Sequence, residues 1–176
     1  MTLINKLILA GLIAAVPVAA HATDLLTSGS TSLPVASSGF DWNRFYAGVY
    51  GVGQESTVGG GQIGIGADLG VDARLEFVLV GAEVRVEGLD GGAGPPGYVA
   101  ALGEAGIALT DSAILYGAGG LGASIAGPSE SNGLLGGGVE LALTDNVSVD
   151  ARYLHGFPIT GANPKDQVTV GANFHF

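Results

Sequence analysis

The chain has 176 residues, of which 47% are hydrophobic, 12% are charged and 32 are glycine, with a formal net charge of −10 and no cysteine. The acidic balance excludes nucleic acid as an expected partner, because phosphate binding needs a basic footprint. The missing cysteines exclude a disulfide frame, a thiol nucleophile and thiolate metal sites.

Residues 1–22 carry Lys6, an apolar run from Leu7 to Ala20 and the small-residue sequence Ala20-His21-Ala22, the pattern of a secretory signal peptide. That run is shorter than the roughly 20 apolar residues of a spanning helix, and Gly or charged residues interrupt every later apolar stretch. Residues 23–40, rich in Ser, Thr, Gly and Pro, read as a flexible periplasmic leader.

Residues 41–176 divide into alternating runs at 44–54, 61–70, 74–88, 97–109, 113–125, 133–144, 147–156 and 167–176. Most are close to the roughly 9–11 residues of a tilted spanning strand. Thr110-Asp111-Ser112 and Asp145-Asn146 read as tight turns, whereas 88–96, 126–132 and 157–167 read as longer connections. With both termini in the periplasm, the tight turns belong on that side and the longer loops outside.

The period of two assigns faces. In the first run Arg44, Tyr46, Gly48 and Tyr50 are expected inward, and in the second Ile63, Ile65, Ala67 and Leu69 face away from Gln62 and Asp68. In the third, Val78, Val80, Ala82, Val84 and Val86 oppose Leu79, Gly81, Glu83, Arg85 and Glu87, so every charge shares one face. The fourth places Glu104 with Ala100, Leu102 and Gly106. The sixth opposes Leu135, Val139, Leu141 and Leu143 to Gly136, Gly138 and Glu140. The seventh opposes Val147, Val149, Ala151 and Tyr153 to Ser148, Asp150, Arg152 and Leu154. The last opposes Val168, Val170, Ala172, Phe174 and Phe176 to Thr169, Gly171, Asn173 and His175.

A charged row this sparse and acidic is too thin to solvate a protein exterior, yet enough to fill a narrow lumen. The expected fold is therefore an all-β, eight-stranded antiparallel up-and-down transmembrane β-barrel, whose interior is just wide enough for side chains. Glu83, Arg85, Glu87, Glu104, Glu140, Asp150 and Arg152 form the expected lumen charge network, with Glu83–Arg85 and Glu140–Arg152 as expected pairs, since unpaired buried charges are costly. Two readings of Gly117, Gly119, Gly120 and Gly122 stand side by side: room for tyrosines and arginines in the lumen, or strand kinking. Trp42, Phe45 and Tyr46, with Phe174 and Phe176, suit an aromatic girdle at the periplasmic rim, with ordinary core aromatics as the other reading.

Several stretches resemble the eight-stranded outer-membrane β-barrel proteins of Gram-negative bacteria, the OmpA-like barrel and surface-antigen type. GVELALTDN at 138–146 followed by SVDARYL at 148–154 is similar to their penultimate hairpin, RFYAGVYG at 44–51 to their first strand, ILYGAGGLG at 114–122 to their fifth, and the closing NFHF to their last. Leu141, where an aromatic is usual, and Asp150 with Arg152 depart from that pattern. The resemblance implies an integral outer-membrane location and contact with outer-membrane lipids and lipopolysaccharide. It further implies a C-terminal signal for the outer-membrane assembly machinery in Val170, Ala172, Phe174 and Phe176.

Catalysis finds little support. His155 lies at the outer end of the seventh run on the lipid side, where it meets Ser129 or Ser131 only by loop placement, and His175 lies at the periplasmic end. Glu83 and Glu87 flank Arg85 as a charge ladder, Asp90, Glu130 and Asp166 lack metal-ligand spacing, and GLDGGAG at 88–94 lacks the alternating acids of a calcium loop. No P-loop is present, so no catalytic, cofactor or metal residue is expected. The expected role is that of a structural envelope barrel with surface loops. A small, weakly cation-preferring channel is the alternative, a lipid A-modifying enzyme the third reading, and no oligomeric state is specified.

Overall fold

In a computed structural model of the chain, residues 39–161 and 163–176 are described. The signal peptide expected at 1–22, and the leader expected at 23–40 except Gly39 and Phe40, lie outside those residues. Eight strands follow one another: β1 (Phe45–Ser56), β2 (Gly60–Leu75), β3 (Val78–Asp90), β4 (Gly97–Thr110), β5 (Ala113–Ala126), β6 (Ser131–Ala142), β7 (Val147–Thr160) and β8 (Lys165–His175). Each pairs antiparallel with its neighbours in sequence, and β1 closes on β8 from Tyr46↔His175 to Ser56↔Lys165. Closure leaves no strand edge, so the spanning backbone groups pair within the sheet, apart from register shifts in the β4–β5 and β6–β7 pairs.

The alternation seen in the sequence sets the two surfaces. Outward rows are apolar, with Val49 66%, Ile65 77% and Val170 62% exposed. Inward rows bury polar side chains instead: Asp72, Glu83, Arg85, Glu87, Ser148, Thr169 and Asn173 are all buried. An apolar exterior around a polar interior inverts the order of a soluble ligand-binding barrel and is the order that a bilayer requires.

The ends differ from the sequence expectation at particular residues. β2 runs on through Leu75, which pairs with Val78 across a turn made of Glu76 and Phe77. The sequence assigned 74–77 to the third strand because DARLEFVLV alternates through the turn without a Gly, Pro or Asn to interrupt it. Glu76 itself adopts the left-handed conformation, φ 59°, a position that usually selects Gly, Asn or Asp.

At the opposite end the strands are longer than expected. β7 continues to Thr160 and β8 starts at Lys165, so the connection foreseen over 157–167 shrinks to 161–164. Pro158 sits within β7 opposite Asn132, next to a register shift between Ser131 and Asn132, where a missing N–H is tolerated. The loop asymmetry survives: turns at 76–77, 111–112 and 143–146 mark one end, and loops at 57–59, 91–96, 127–130 and 161–164 mark the other.

Candidate functional site

The lumen is the site, and it is built in layers. At the short-turn end, the segment before β1 folds under the barrel and plugs it. Trp42 is fully buried, its ring 4.5 Å from Phe40 and 6.0 Å from His175, and its indole N–H donates to the Asp111 carbonyl at 3.3 Å. Tyr46 stacks at 5.4 Å from the same imidazole. Trp42 and Tyr46 therefore do not belong to the expected aromatic girdle. The chain turns inward before β1 and seals the lumen with them, while Phe45, Phe174 and Phe176 point outward, 46%, 54% and 64% exposed. Arg44 stays at this rim, its Nη1 donating to the Asp145 carbonyl at 3.0 Å, and does not enter the lumen row.

Above the plug, the Ser148 hydroxyl donates to Glu140 and lies 2.9 Å from His175 Nε2, while the Asn173 amide donates to Glu140 at 3.1 Å. Serine, histidine and glutamate side by side invite comparison with a hydrolytic triad. The geometry does not fit one, because Ser148 and Glu140 both approach Nε2, at 2.9 and 3.3 Å, whereas a charge-relay carboxylate holds the other ring nitrogen. Neither Ser148 nor His175 has exposed surface for a substrate to reach. The cluster ties β6, β7 and the last strand together.

The central layer is organised by Arg152. Its Nη1 and Nη2 donate to the two Glu83 oxygens at 2.6 and 3.0 Å, Nη2 pairs with Glu104 at 2.9 Å, and Nε donates to the Tyr116 hydroxyl at 2.9 Å. Tyr46 adds a hydrogen bond to Glu83 at 2.9 Å. Arg85 lies over the Tyr50 ring at 4.1 Å, donates to its hydroxyl at 3.0 Å and stands 4.0 Å from Glu87, which also accepts from Gln167 at 2.7 Å. The expected pairs Glu83–Arg85 and Glu140–Arg152 are thus both replaced. Register explains this: Arg152 faces Gly138, and Glu140 faces Asp150, so Arg152 crosses the lumen to carboxylates on β3 and β4.

Four tyrosines lie over glycines. A Cβ at Gly66 would strike the Tyr50 ring, at Gly70 the Tyr46 ring, at Gly122 the Tyr98 ring and at Gly138 the Tyr116 ring. Of the glycines read from the sequence, Gly122 makes room for a lumen aromatic and Gly120 for the Ala101 backbone. A Cβ at Gly117 or Gly119 would meet only ordinary contacts at 3.6 Å or more. Part of the lumen is apolar, with Leu79, Ala100, Leu102, Ile114, Ala118 and Leu154 in one buried cluster. Alternation shows the inward parity of these residues but not that they cluster.

Lys165 at the long-loop end and Asp72 at the short-turn end complete the inward rows, and the sequence reading missed both. Asp72 lies beyond the expected end of the second strand, and Lys165 lies before the expected start of the eighth. Lys165 Nζ stands 3.6 Å from the Tyr98 ring centroid, and Gln54 donates to Gln62 at 2.9 Å. On the outer wall, His155 Nδ1 lies 2.8 Å from Asp166, which also accepts from Tyr153 at 2.5 Å. Neither Ser129 nor Ser131 is among the partners of His155. Among the described residues no group of three or more His, Cys, Asp or Glu side chains is placed to hold a metal ion.

Comparison with protein-family profiles finds no match, and comparison with curated protein sequences finds none either. Solved structures do match. Ail, the attachment invasion locus protein of Yersinia pestis, superposes with a TM-score of 0.54 at 14% identity, over 76% of this chain and 97% of that one. Neisserial surface protein A superposes with a TM-score of 0.51 at 14% identity, over 75% of this chain and 97% of that one. Ail in complex with the heparin analogue sucrose octasulfate matches at 0.50 and 16% identity, with 76% and 97% covered. At these identities the likeness is one of fold, and it agrees with the exterior, lumen and closure described above: the chain folds as an eight-stranded transmembrane β-barrel of the outer-membrane type.

Proposed function

We propose that the protein is an integral outer-membrane barrel whose role is structural, with a sealed lumen and short surface loops. The observation that carries this reading is the joint one of an apolar exterior belt and a lumen filled by the Arg152–Glu83–Glu104 layer above the Phe40–Trp42–His175 plug. Buried side chains from facing walls meet across this interior, which supports a sealed lumen, and on this reading the short-turn end lies on the periplasmic side, with the longer loops outside. Its partners on this reading are outer-membrane lipid and lipopolysaccharide along the belt. The outward row Val170, Ala172, Phe174 and Phe176 is the segment that the assembly machinery engages. Ail's complex with a heparin analogue concerns that protein, and the acidic net charge of −10 here disfavours a polysulfated ligand.

A second reading, a weakly cation-preferring channel, draws on the acidic excess of the lumen, where Asp68, Asp72, Glu83, Glu87, Glu104, Glu140 and Asp150 face only Arg85, Arg152 and Lys165. Mobility of outer-membrane fractions with and without boiling tests the barrel, and planar-bilayer recording tests the seal. A heat-dependent shift with no resolved conductance is the expected result. Discrete cation-selective steps would replace the structural role with the channel.

A further inference from the structure

The long-loop end of the lumen contains a cavity of about 80 Å³ lined by Gln54, Ser56, Gln62, Glu130, Asn163 and Lys165 among others. A single water needs only about 10–15 Å³ of such space, so the cavity holds several polar atoms of a solute. Lys165 is 4% exposed and lines this cavity, yet its Nζ has no hydrogen-bond partner among the described residues. The Tyr98 ring, fixed by its hydroxyl donating to Asn132 at 3.1 Å, serves one side of the ammonium and leaves its N–H donors unused. Gln54 is 5% exposed, and while its amide N–H donates to Gln62, its Oε1 oxygen also lacks a partner. Glu130, half-buried on the same wall, forms no ion pair with Lys165 within 4.0 Å.

An ammonium and a carboxylate that line one cavity without pairing, beside an unmet amide oxygen, are complementary to a solute carrying both charges. The two buried groups, Lys165 Nζ and Gln54 Oε1, are costly until met, and charge-assisted hydrogen bonds meet them best. We infer that this cavity binds a small zwitterion of the α-amino acid type, its carboxylate on Lys165 Nζ and its ammonium between Glu130 and Gln54 Oε1. A purely anionic solute would satisfy Lys165 but meet Glu130 with like charge, and a purely cationic one would leave Lys165 unmet. Because the cavity's floor is made by the inward-facing Gln54, Gln62 and Lys165 and its walls by the loops above them, the ligand is a free solute from the long-loop side and not a lipid headgroup on the outer wall. The side of entry rests on the orientation given under the proposed function, whereas the binding itself does not.

The test is a titration of the full chain, refolded in detergent micelles, with glycine as probe and with acetate and methylammonium as single-charge controls. Amide and Lys165 Nζ resonances are followed by nuclear magnetic resonance. Glycine is expected to give saturable shifts confined to Gln54, Gln62, Glu130 and Lys165, with affinity at least about tenfold above either control. Lys165→Met and Glu130→Gln are each expected to weaken glycine by about tenfold, and retained heat-modifiable mobility certifies that each variant is folded. Glu130→Gln alone suffices if Lys165→Met does not fold, since Glu130 is at the rim. Equal response to glycine and acetate, or no saturable shift at all, overturns the assignment. Conductance in the bilayer assay would overturn the sealed-barrel reading and leave this result standing.

Discussion

Replacing Arg152 with methionine keeps the apolar stem of the side chain but removes the charge that holds the central lumen layer. Glu83 and Glu104, whose side chains are 1% and 6% exposed, would then face each other with only Tyr46 donating to Glu83 at 2.9 Å. Breaking a buried pair by removing one partner costs about 3–5 kcal/mol, because the remaining charge is left uncompensated. Two charge-assisted hydrogen bonds to Glu83 at 2.6 and 3.0 Å, with the ion pair to Glu104 at 2.9 Å, place Arg152 at the upper part of that range.

Arg85 supplies the internal comparison. It holds Glu87 only at 4.0 Å, and its Nη1 already lacks a partner, so Arg85→Met should cost clearly less, about 1–2 kcal/mol. The assay is urea unfolding in micelles followed by the fluorescence of Trp42, the single tryptophan, which sits fully buried at the lumen floor. Pairing Arg152→Met with Glu83→Gln should recover part of the loss, since a neutral amide replaces the stranded carboxylate. Two results would refute the argument: an Arg152→Met midpoint indistinguishable from the parent, or an Arg85→Met loss as large as that of Arg152→Met.

Other perturbations probe the remaining parts of the design. Gly70→Ala places a Cβ in the Tyr46 ring and is expected to cost about 1–3 kcal/mol in the same unfolding assay, whereas Gly117→Ala, whose Cβ meets nothing closer than 3.7 Å, should be neutral or slightly stabilising. Val84→Arg, on the outward row at mid-strand and 57% exposed, should cost about 2–4 kcal/mol in bilayers, with a smaller loss for Ile63→Arg near the long-loop end. Trp42→Ala removes the centre of the lumen plug and should lower the temperature of the heat-modifiable mobility shift, in keeping with the roughly 3–5 kcal/mol of a buried Trp deletion. Phe45→Ala, half-exposed beside it, should leave that temperature close to the parent's.

The alternation of side chains made the two surfaces of the barrel legible, since a period of two assigns parity without any knowledge of partners. That is why the sequence puts Glu83, Arg85, Glu140 and Arg152 on a common parity, the one that is buried in the structure, but does not carry their pairings. Pairing depends on how far each strand is sheared against the next, and on which side chains are long enough to cross a narrow lumen. Arg152 reaches Glu83 over a sequence separation of 69, a contact that no local pattern carries. The turn at Glu76–Phe77 escaped for the opposite reason: its residues carry the alternation of the strands around it, and the left-handed φ at Glu76 is imposed by the closure of β2 on β3. Trp42 and Tyr46 show the same limit on the aromatic side. Parity places Tyr46 inward, but only the inward turn of the residues before β1 turns both rings from a girdle into a plug, and that turn brings the Trp42 indole N–H to the Asp111 carbonyl across the barrel mouth, a contact no local pattern carries. What a single strand can tell is which way each side chain faces. What the lumen does with those side chains is decided by register, and here register sets one arginine against two acids at the centre and leaves one lysine at the mouth with no hydrogen-bond partner for its Nζ among the described residues.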